Sequence, residues 1–359
     1  MKKNNLTFAQ FGCGRMGKNT AKFAIEKGAQ PVAAFDANPK LVGADLGELI
    51  GTDANGIRIS AADDADKILG ELKPDICIVT TQSLMKDVKD ILLTCAKNGV
   101  NAITTCEEAF YPWNSSPVLT AEIDKLAKEN NCTISGSGVD ESQYGAIFAL
   151  FGGNAHKTEK IYAEAQYNVD DYGIALAKAH GVGLTPEEFE QQVASADNIS
   201  DEERKKLIEE GKFIPTYVWT FNGWLCDYLG LTVKSESQKC IPKFADRDIR
   251  STTLDAVIPK GNAIGMGAIA TLETEEGLTI ETQCIGKVYY DNEEDTNLCR
   301  TTGVPNLEIS FKAPDTVAMT CGSIVNRIPD VINAPAGFVT TSKMPTFRYH
   351  HKDLINYIK

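Results

Sequence analysis

The stretch LTFAQFGCGRMG, Leu6–Gly17, decides the fold of this chain. An apolar strand over Leu6–Phe11 runs directly into the pattern G-x-G-x-x-G, and a helical pattern follows as far as Lys27. In such a loop the first glycine makes a tight turn, the second lets the backbone approach a pyrophosphate, and the third packs the helix on the strand. The helix N-terminus attracts the phosphates through its free N–H groups. The stretch therefore predicts a dinucleotide site that includes Gly12, Gly14, Arg15, Met16 and Gly17.

An acid follows at the end of the second predicted strand. The segment QPVAAFD ends in Asp36, 19 residues after Gly17. In dinucleotide-binding domains an acid about 20 residues beyond the glycines holds the adenosine ribose hydroxyls. Because its carboxylate also repels a 2′-phosphate, we expect NAD in preference to NADP, although Lys40 lies close enough to leave NADP possible. The alternative is a glycine-rich turn in an α/β domain that binds no nucleotide.

Strand and helix patterns alternate through residues 1–138. DICIVTT, NAITT and CTISGSG predict buried strands, and helical patterns lie between them. This alternation predicts an α/β fold with a Rossmann-type doubly wound parallel sheet, in which ligands bind beyond the carboxyl ends of the strands. Six polar residues follow those strand ends, and we assign the first four to the cofactor: Thr80, Thr81, Gln82, Thr105, Glu107 and Glu108.

The pattern changes at residue 139. Segments such as KTEKIYAEAQYNV alternate polar and apolar residues, which is typical of antiparallel strands. We therefore predict an α+β substrate domain with a mostly antiparallel sheet over residues 139–315. TCGSIVNRIPDVINAPAGF predicts a C-terminal helix that returns to the first domain (316–345), and residues 346–359 are predicted to be a polar tail.

Composition limits the classes of partner. The formal net charge is −13, which argues against nucleic acid or an anionic membrane surface as a partner, since phosphate binding needs clustered Lys and Arg. No apolar run reaches the roughly 20 residues that span a bilayer, and the N-terminal MKKNN does not have the pattern of a signal peptide. The ten cysteines are scattered, so we expect neither disulfides nor a metal site, and a cytoplasmic location.

Five further stretches carry a resemblance to a known family: EEAFYPW at 107–113, EIDKLAKEN at 122–130, GVGLTPEEF at 181–189, GVPN at 303–306 and NRIPDVINAPAGFVT at 326–340. Together they resemble the 2,4-diaminopentanoate dehydrogenase and native amine dehydrogenase family, which is related to dihydrodipicolinate reductase. The first and last of these stretches are the most specific. We also count Asn333, in the last stretch, among the cofactor-binding residues.

The resemblance implies oxidative deamination of an amine on a small amino acid such as 2,4-diaminopentanoate. A hydride leaves the amine carbon for NAD(P), and water then attacks the imine to release ammonia and a ketone. The family places a catalytic glutamate in the segment matched by Glu107 and Glu108, and of the two we favour Glu108 as the base. Tyr111, with Phe110 and Trp113, is expected to wall the pocket. The family also implies a homodimer.

Two departures from the family pattern concern the substrate. Where the family usually has G-x-G-x-N-P-G, this chain has Asp140 and Glu141, and the paired arginines that some members carry are replaced by Ala165 and Gln166. The two acids predict attraction of a substrate ammonium, unless they only reshape the loop. Two arginines are the candidate partners of a substrate carboxylate: Arg250 and Arg300.

Three alternatives stay open at this stage. A sugar or polyol dehydrogenase would carry Lys after Glu107, where this chain has Glu108. A cyclic-imine reductase like dihydrodipicolinate reductase is the second. The third is a nucleotide-sensing regulatory protein without catalysis.

Overall fold

The computed structural model describes the backbone of residues 5–359 and the side chains in that range except that of Ala196. The predictions for the N-terminal basic residues 1–4 lie outside the described residues. The strands are β1 (Leu6–Phe11), β2 (Ala29–Asp36), β3 (Ile59–Ala61), β4 (Ile76–Val79), β5 (Asn101–Thr104), β6 (Thr133–Gly136), β7 (Lys157–Asn168), β8 (Val233–Phe244), β9 (Ile249–Ser251), β10 (Ala256–Ile258), β11 (Ala263–Thr274), β12 (Thr279–Lys287), β13 (Thr296–Val304), β14 (Leu307–Lys312) and β15 (Gly337–Phe338).

The α-helices are α1 (Arg15–Glu26), α2 (Leu46–Leu49), α3 (Ala65–Leu72), α4 (Met85–Lys97), α5 (Pro117–Glu129), α6 (Ile147–Gly152), α7 (Ile174–Ala179), α8 (Pro186–Phe189), α9 (Ser195–Asp197), α10 (Asp201–Glu209), α11 (Tyr217–Leu229) and α12 (Thr316–Asn333). A π-helical turn over Glu141–Ala146 precedes α6. Within residues 5–359, none of these helices is both long enough and apolar enough to cross a membrane.

The chain forms two compact units. The first comprises the residues up to Ala146 together with Asp315–Lys359, and the second comprises Ile147–Pro314. The boundary predicted after residue 138 therefore lies a few residues earlier than the observed one. The reason is that the turn over Glu141–Ala146 is held by an ion pair between Glu141 and Arg327 of α12, which belongs to the first unit.

The first unit contains the predicted parallel sheet. Its strand order is β15-β6-β5-β4-β1-β2-β3, and every neighbouring pair is parallel. The residues of β4 (ICIV) and β6 (TISG) are buried throughout, because helices cover both faces of such a sheet, and this explains the continuous apolar run of β4. The prediction of a Rossmann-type fold is confirmed, and β1, which carries the glycine loop, lies in the interior of the sheet.

Helix α12 is the predicted C-terminal helix that returns to the first unit. It packs against α1 and β5, and Ile324, Val325 and Ile328 lie in the same core as Ala21 and Ala24 of α1. The short strand β15 that follows extends the sheet beside β6, with Gly337 opposite Thr133.

The prediction of a polar tail over residues 346–359 is wrong. His350 and Leu354 are fully buried, and Leu354 packs in the core with Leu6 and Ile76. The backbone N–H of Leu354 also donates to the carbonyl oxygen of Lys27 at 3.0 Å. Two buried side chains thus anchor this segment to the first unit, while its other residues are exposed or half-buried.

The second unit contains a six-stranded mixed sheet. Its order is β14-β13-β7-β12-β11-β8, and only the β7–β12 pair is parallel among these neighbours, so the predicted mostly antiparallel sheet is confirmed. Helix α11 packs against β11 and β12, where Thr282 Oγ1 and Asn222 Oδ1 lie 2.7 Å apart. Strands β9 and β10 form a separate antiparallel pair.

Candidate active site

The glycine loop has the geometry that the sequence pattern requires. Gly12 has φ +89°, a value that favours glycine. A Cβ atom at Gly17 would lie 1.9 Å from the carbonyl oxygen of Gly12, so helix α1 approaches the loop more closely than any side chain allows. A Cβ atom at Gly14, by contrast, would have no heavy atom within 4 Å. Space is therefore open at the second glycine, where the protein backbone is expected to approach the pyrophosphate.

A buried polar network supports this loop from below. Gln10 is fully buried in β1, and its Nε2 donates to the carbonyl oxygen of Gly12 at 3.0 Å and to Thr80 Oγ1 at 2.9 Å. Thr80 Oγ1 in turn donates to the same Gly12 carbonyl at 2.9 Å. Thr80 was predicted to bind the cofactor, but its hydroxyl supports the loop instead. A glutamine within an apolar strand was the signal in the sequence that a buried polar role was needed.

Asp36 lies beside the glycine loop. Its Oδ2 accepts the backbone N–H of Cys13 at 2.6 Å and its Oδ1 accepts that of Asn38 at 2.7 Å. Each carboxylate oxygen keeps a second lone pair for a further donor, such as a ribose hydroxyl.

The residues present fit a dinucleotide. The open space at Gly14, the close approach of α1 at Gly17 and the carboxylate of Asp36 match the three features that such a ligand needs. No described side chain caps the N-terminus of α1, whose N-cap residue is Gly14, so anion binding there has no competitor. Four further residues predicted to bind the cofactor lie in the segments that follow β1, β4 and β5. Arg15, Thr81 and Gln82 are exposed, and Thr105 is half-buried.

Glu108 is held inside the protein by three donors. Its side chain is 3% exposed. Oε2 accepts the backbone N–H of Met85 at 2.7 Å, and Oε1 accepts the hydroxyls of Ser115 at 2.7 Å and Ser116 at 2.6 Å. The carboxylate thus joins the N-terminus of α4 to the segment that begins α5. A general base must reach the proton that it removes, and Glu108 has no free path to one, so this placement does not support our preference for Glu108.

Glu107 differs from Glu108 in its exposure. It stands at the start of the 3₁₀ turn Glu108–Phe110, and its side chain reaches solvent. The protein around it nevertheless desolvates the carboxyl enough to raise the pKa of Glu107. A carboxyl that is both accessible and harder to ionise than usual is the kind of group that serves as a base near neutral pH.

Asp140 belongs to the same edge of the sheet. It follows β6, and Val139 beside it donates its N–H to Thr320 Oγ1 of α12 at 3.3 Å. The next residue of α12, Cys321, lies with its Sγ 3.7 Å from the carbonyl oxygen of Met16 in the glycine loop. One turn of α12 therefore contacts both the loop and the Asp140 segment. Burial raises the pKa of Asp140 well above its ordinary range, and the charge of Glu107 raises it further.

Glu141 does not reach this site. It is completely buried, pairs with the guanidinium of Arg327 and accepts the hydroxyl of Ser137 at 2.8 Å. Arg327 also binds Asp330 at 2.7 Å. Since its charge is already compensated, Glu141 is not free to attract a substrate ammonium, and the prediction for this residue is corrected to a structural role.

Asn333 lies at the opposite edge of the sheet. Its side chain binds the carbonyl oxygen of Tyr357 at 2.9 Å and the N–H of Lys359 at 2.8 Å. The adjacent Ala334 contacts Thr133, the first residue of β6. A helix of 18 residues such as α12 is about 27 Å long, so its last residue is carried away from the edge where its first turns lie. The cofactor prediction for Asn333 is therefore wrong.

Two of the three aromatic residues predicted to wall the pocket are part of the core. Phe110 is 1% exposed, and Trp113 packs edge-on against Phe338 with ring centroids 6.3 Å apart. Tyr111 is half-buried and is the one whose wall role stays a prediction.

The two candidate arginines lie in the second unit and form exposed ion pairs. Arg250 pairs with Asp255, and Arg300 of β13 pairs with Glu308 of β14 at 2.8 Å. Each guanidinium thus already has a carboxylate partner within the second unit. Nothing in their contacts points to a substrate carboxylate.

Known proteins are similar to this chain over nearly its whole length. The solved structure of an amine dehydrogenase from Mycobacterium smegmatis has a TM-score of 0.80 and 35% sequence identity, and the match covers 98% of this chain and 99% of that one. A 2,4-diaminopentanoate dehydrogenase from Acetoanaerobium sticklandii is 24% identical over 346 residues, 94% of this chain and 92% of that one.

A third relative matches only one part. A 4-hydroxy-tetrahydrodipicolinate reductase from Methanocaldococcus jannaschii is 37% identical over 122 residues, which are 33% of this chain and 41% of that protein. The sequence matches no protein-family model.

Proposed function

Because the chain belongs to the family of amine dehydrogenases that includes 2,4-diaminopentanoate dehydrogenase, and is an oxidoreductase acting on amines, we propose that it catalyses NAD(P)-dependent oxidative deamination of an amine on a small amino acid. The products are a ketone and ammonia. The observation that carries the proposal is Glu107, an accessible carboxyl with a raised pKa on the edge of the sheet that also carries the glycine loop.

The residues of the chain divide the work of this reaction. The loop from Gly12 to Gly17, with Asp36, holds the dinucleotide, and a nicotinamide when bound supplies a hydride acceptor for the amine carbon. Glu107 takes one proton from the substrate ammonium, since the nitrogen needs its lone pair before the C–H bond can break. Glu107 reaches solvent and passes this first proton to it, which restores the carboxylate. When water attacks the resulting iminium carbon, Glu107 takes the proton that the water loses. Glu108 keeps the turn that carries Glu107 in place.

A substrate screen tests this function against its alternatives. We expect NADH formation with diamino acids or simple amines and none with polyols. Oxidation of a polyol would instead favour the sugar dehydrogenase alternative, and reduction of a cyclic imine would favour a reductase. Absence of turnover with every class, in protein that binds NADH, would favour a nucleotide-sensing role.

The cofactor preference is predicted from Asp36. The carboxylate accepts donors well and repels a 2′-phosphate, so kcat/KM is expected to be higher with NAD than with NADP. Replacing Asp36 by Ser removes a repulsion worth about 1–4 kcal/mol at 4 Å, depending on the local dielectric. We therefore expect the NADP-to-NAD ratio of kcat/KM to rise at least about fivefold. The control is Lys40→Ser, which should lower that ratio; a wild-type preference for NADP would contradict the assignment.

A structural role for Glu108 makes a separate prediction. Glu108→Gln replaces one acceptor oxygen by a donor NH₂ group, which faces N–H or O–H donors of Met85, Ser115 and Ser116. Hydrogen bonds to a charged group contribute about 1.5–3 kcal/mol, so the free energy of unfolding should fall by an amount of this order. The fall is measured as a lower urea midpoint. The kcat of the folded variant should stay within about threefold of wild type, because the base is not removed. A loss of kcat with unchanged stability would return the base role to Glu108.

Two finer expectations stay predictions. The homodimer is tested by light scattering, which should give twice the mass of the chain. The cytoplasmic location is tested by fractionation of the source cells.

A further inference from the structure

Glu107 and Asp140 lie in the segments that follow two adjacent strands, β5 and β6. Thr104 of β5 is paired with Gly136 of β6, and the N–H of Ser137 donates to the carbonyl oxygen of Thr104 at 3.1 Å. The turn after Glu107 rests directly on the end of β6, because a Cβ atom at Gly136 would lie 2.3 Å from the carbonyl oxygen of Ala109. The close packing of these two backbones brings Glu107 and Asp140 into each other's field, as the effect of Glu107 on the pKa of Asp140 shows.

The carboxyl of Asp140 is positioned but not used. The backbone beside it is fixed by Thr320, which accepts the N–H of Val139, and by Ser142, whose hydroxyl donates to the carbonyl oxygen of Val139 at 2.9 Å. With the residues that the structure describes, the Asp140 carboxyl itself forms neither a hydrogen bond nor an ion pair. A half-buried acid in this state is available to a ligand.

The other charged groups around Asp140 are occupied. On the neighbouring turn Glu108 is bound by three donors, and on the following residue Glu141 is paired with Arg327 of α12. At the start of α12, Asp315 accepts the N–H of Ala318 at 2.9 Å. Glu107 is therefore the charge whose state matters most for Asp140.

The environments of the two acids push their pKa values apart. Burial raises the pKa of Glu107. The pKa of Asp140 is raised by burial and, in addition, by the negative charge of Glu107. Because Glu107 reaches solvent and Asp140 is half-buried, Glu107 is the carboxyl that ionises first, and its charge favours the protonated form of Asp140. Two interacting carboxyls of this kind titrate as a pair and supply a base and an acid at the same pH.

We propose that Asp140 is the general acid that complements Glu107 in the release of ammonia, a role that rests on the proposed amine oxidation. After water adds to the iminium carbon and loses a proton to Glu107, the intermediate is a neutral carbinolamine. Asp140 gives its proton to the carbinolamine nitrogen, and the C–N bond breaks with its electron pair leaving on ammonia. The hydroxyl proton returns to Asp140 as the C=O bond forms, and ammonia leaves as ammonium with the proton held by Glu107.

This role differs from the expected attraction of a substrate ammonium. A carboxyl that keeps its proton carries no charge, so it contributes a donor and not a counter-ion. The two roles separate in kinetics, because loss of a counter-ion raises KM and loss of a general acid lowers kcat.

The test compares Asp140→Asn with wild type. Asn fits the same space but transfers no proton, so we expect kcat for deamination to fall by about 10²–10⁴-fold with little change in KM for the amine. In the pH profile, the fall of activity on the alkaline side, where wild-type Asp140 loses its proton, should disappear. Asp87→Asn, an exposed acid on the first turn of α4, is the matched control and should keep both kcat and the profile. A raised KM with unchanged kcat, or an unchanged kcat and profile, would overturn the proposal.

A second readout needs no substrate and no cofactor. A carboxyl whose pKa is raised in the folded state stabilises the protein below its unfolded pKa, and that stabilisation is lost as the pH rises through the folded pKa. Asp140→Asn removes this loss, so its free energy of unfolding relative to wild type should increase from pH 4 upward, and Asp87→Asn should show no such trend. A difference that is independent of pH would contradict the acid pair. If this difference appears but wild type oxidises no amine, the proposed function fails while the acid pair stands.

Discussion

Glu107→Gln is expected to lower kcat for amine oxidation by at least about 100-fold, within the range of about 10²–10⁴ that a general base contributes. Gln keeps the size of the side chain but accepts no proton from the substrate ammonium or from the attacking water. Because Glu107 reaches solvent and the glycine loop is separate from it in the chain, the Kd for NADH should change little. Steady-state kinetics with the best amine of the screen, together with NADH fluorescence titration, measure these quantities.

The pH dependence gives the same prediction a second measurement. Burial raises the pKa of Glu107, and the base is active when ionised, so kcat/KM should rise with pH through a value above the usual glutamate range and level off beyond it. That acid limb should vanish in Glu107→Gln. Glu108→Gln serves as the matched control on the neighbouring residue, and it should lower stability and retain the limb. Near-normal kcat in Glu107→Gln would place the base elsewhere.

Arg327→Met is expected to have the largest effect on stability, a loss of about 3–5 kcal/mol in the free energy of unfolding. Arg327 is 2% exposed and is shared by Glu141 and Asp330. It also donates to the carbonyl oxygen of Pro345 at 2.8 Å, so it joins the turn after β6, helix α12 and the C-terminal segment. Removal of the only cation of this triad leaves two buried carboxylates uncompensated. Urea unfolding at neutral pH measures the loss.

An exposed pair in the same chain is the control for this change. Arg300→Met breaks the Arg300–Glu308 pair, whose side chains are 50% and 55% exposed, and exposed pairs contribute about 0–1 kcal/mol. A triple variant in which Glu141, Arg327 and Asp330 are all apolar should recover much of the stability, since no charge is left buried. If Arg327→Met and Arg300→Met cost the same, the triad does not act as described.

The choice between two adjacent glutamates shows what a local pattern leaves open. The sequence places Glu107 and Glu108 together after β5, and their residue types are identical. Which of them is buried depends on Met85, 23 residues earlier, and on the hydroxyls of Ser115 and Ser116. No periodicity connects these positions, so the local pattern could not show that Glu108 is the glutamate bound by these donors and not the base.

Asn333 and the C-terminal segment were misplaced for a related reason. The pattern of α12 correctly predicted a helix that returns to the first unit, but not which end of it faces the glycine loop. Thr320 and Cys321 in its early turns contact the Asp140 segment and Met16, while Asn333 lies a helix length away. The polar composition of residues 346–359 predicted a tail, although Leu354 packs in the core of the first unit.

The sequence by itself determined the parallel sheet, the glycine loop, Asp36 and the edge on which the chemistry is expected, because each follows from short-range rules: apolar runs, glycine conformations and the common direction of parallel strands. Only the tertiary structure decided which carboxyl reaches solvent, which is buried and bound, and which keeps its proton. Burial and charge at a carboxyl are set by residues from several distant segments, such as Arg327 on Glu141 and Glu107 on Asp140, and these meet only when the chain is folded.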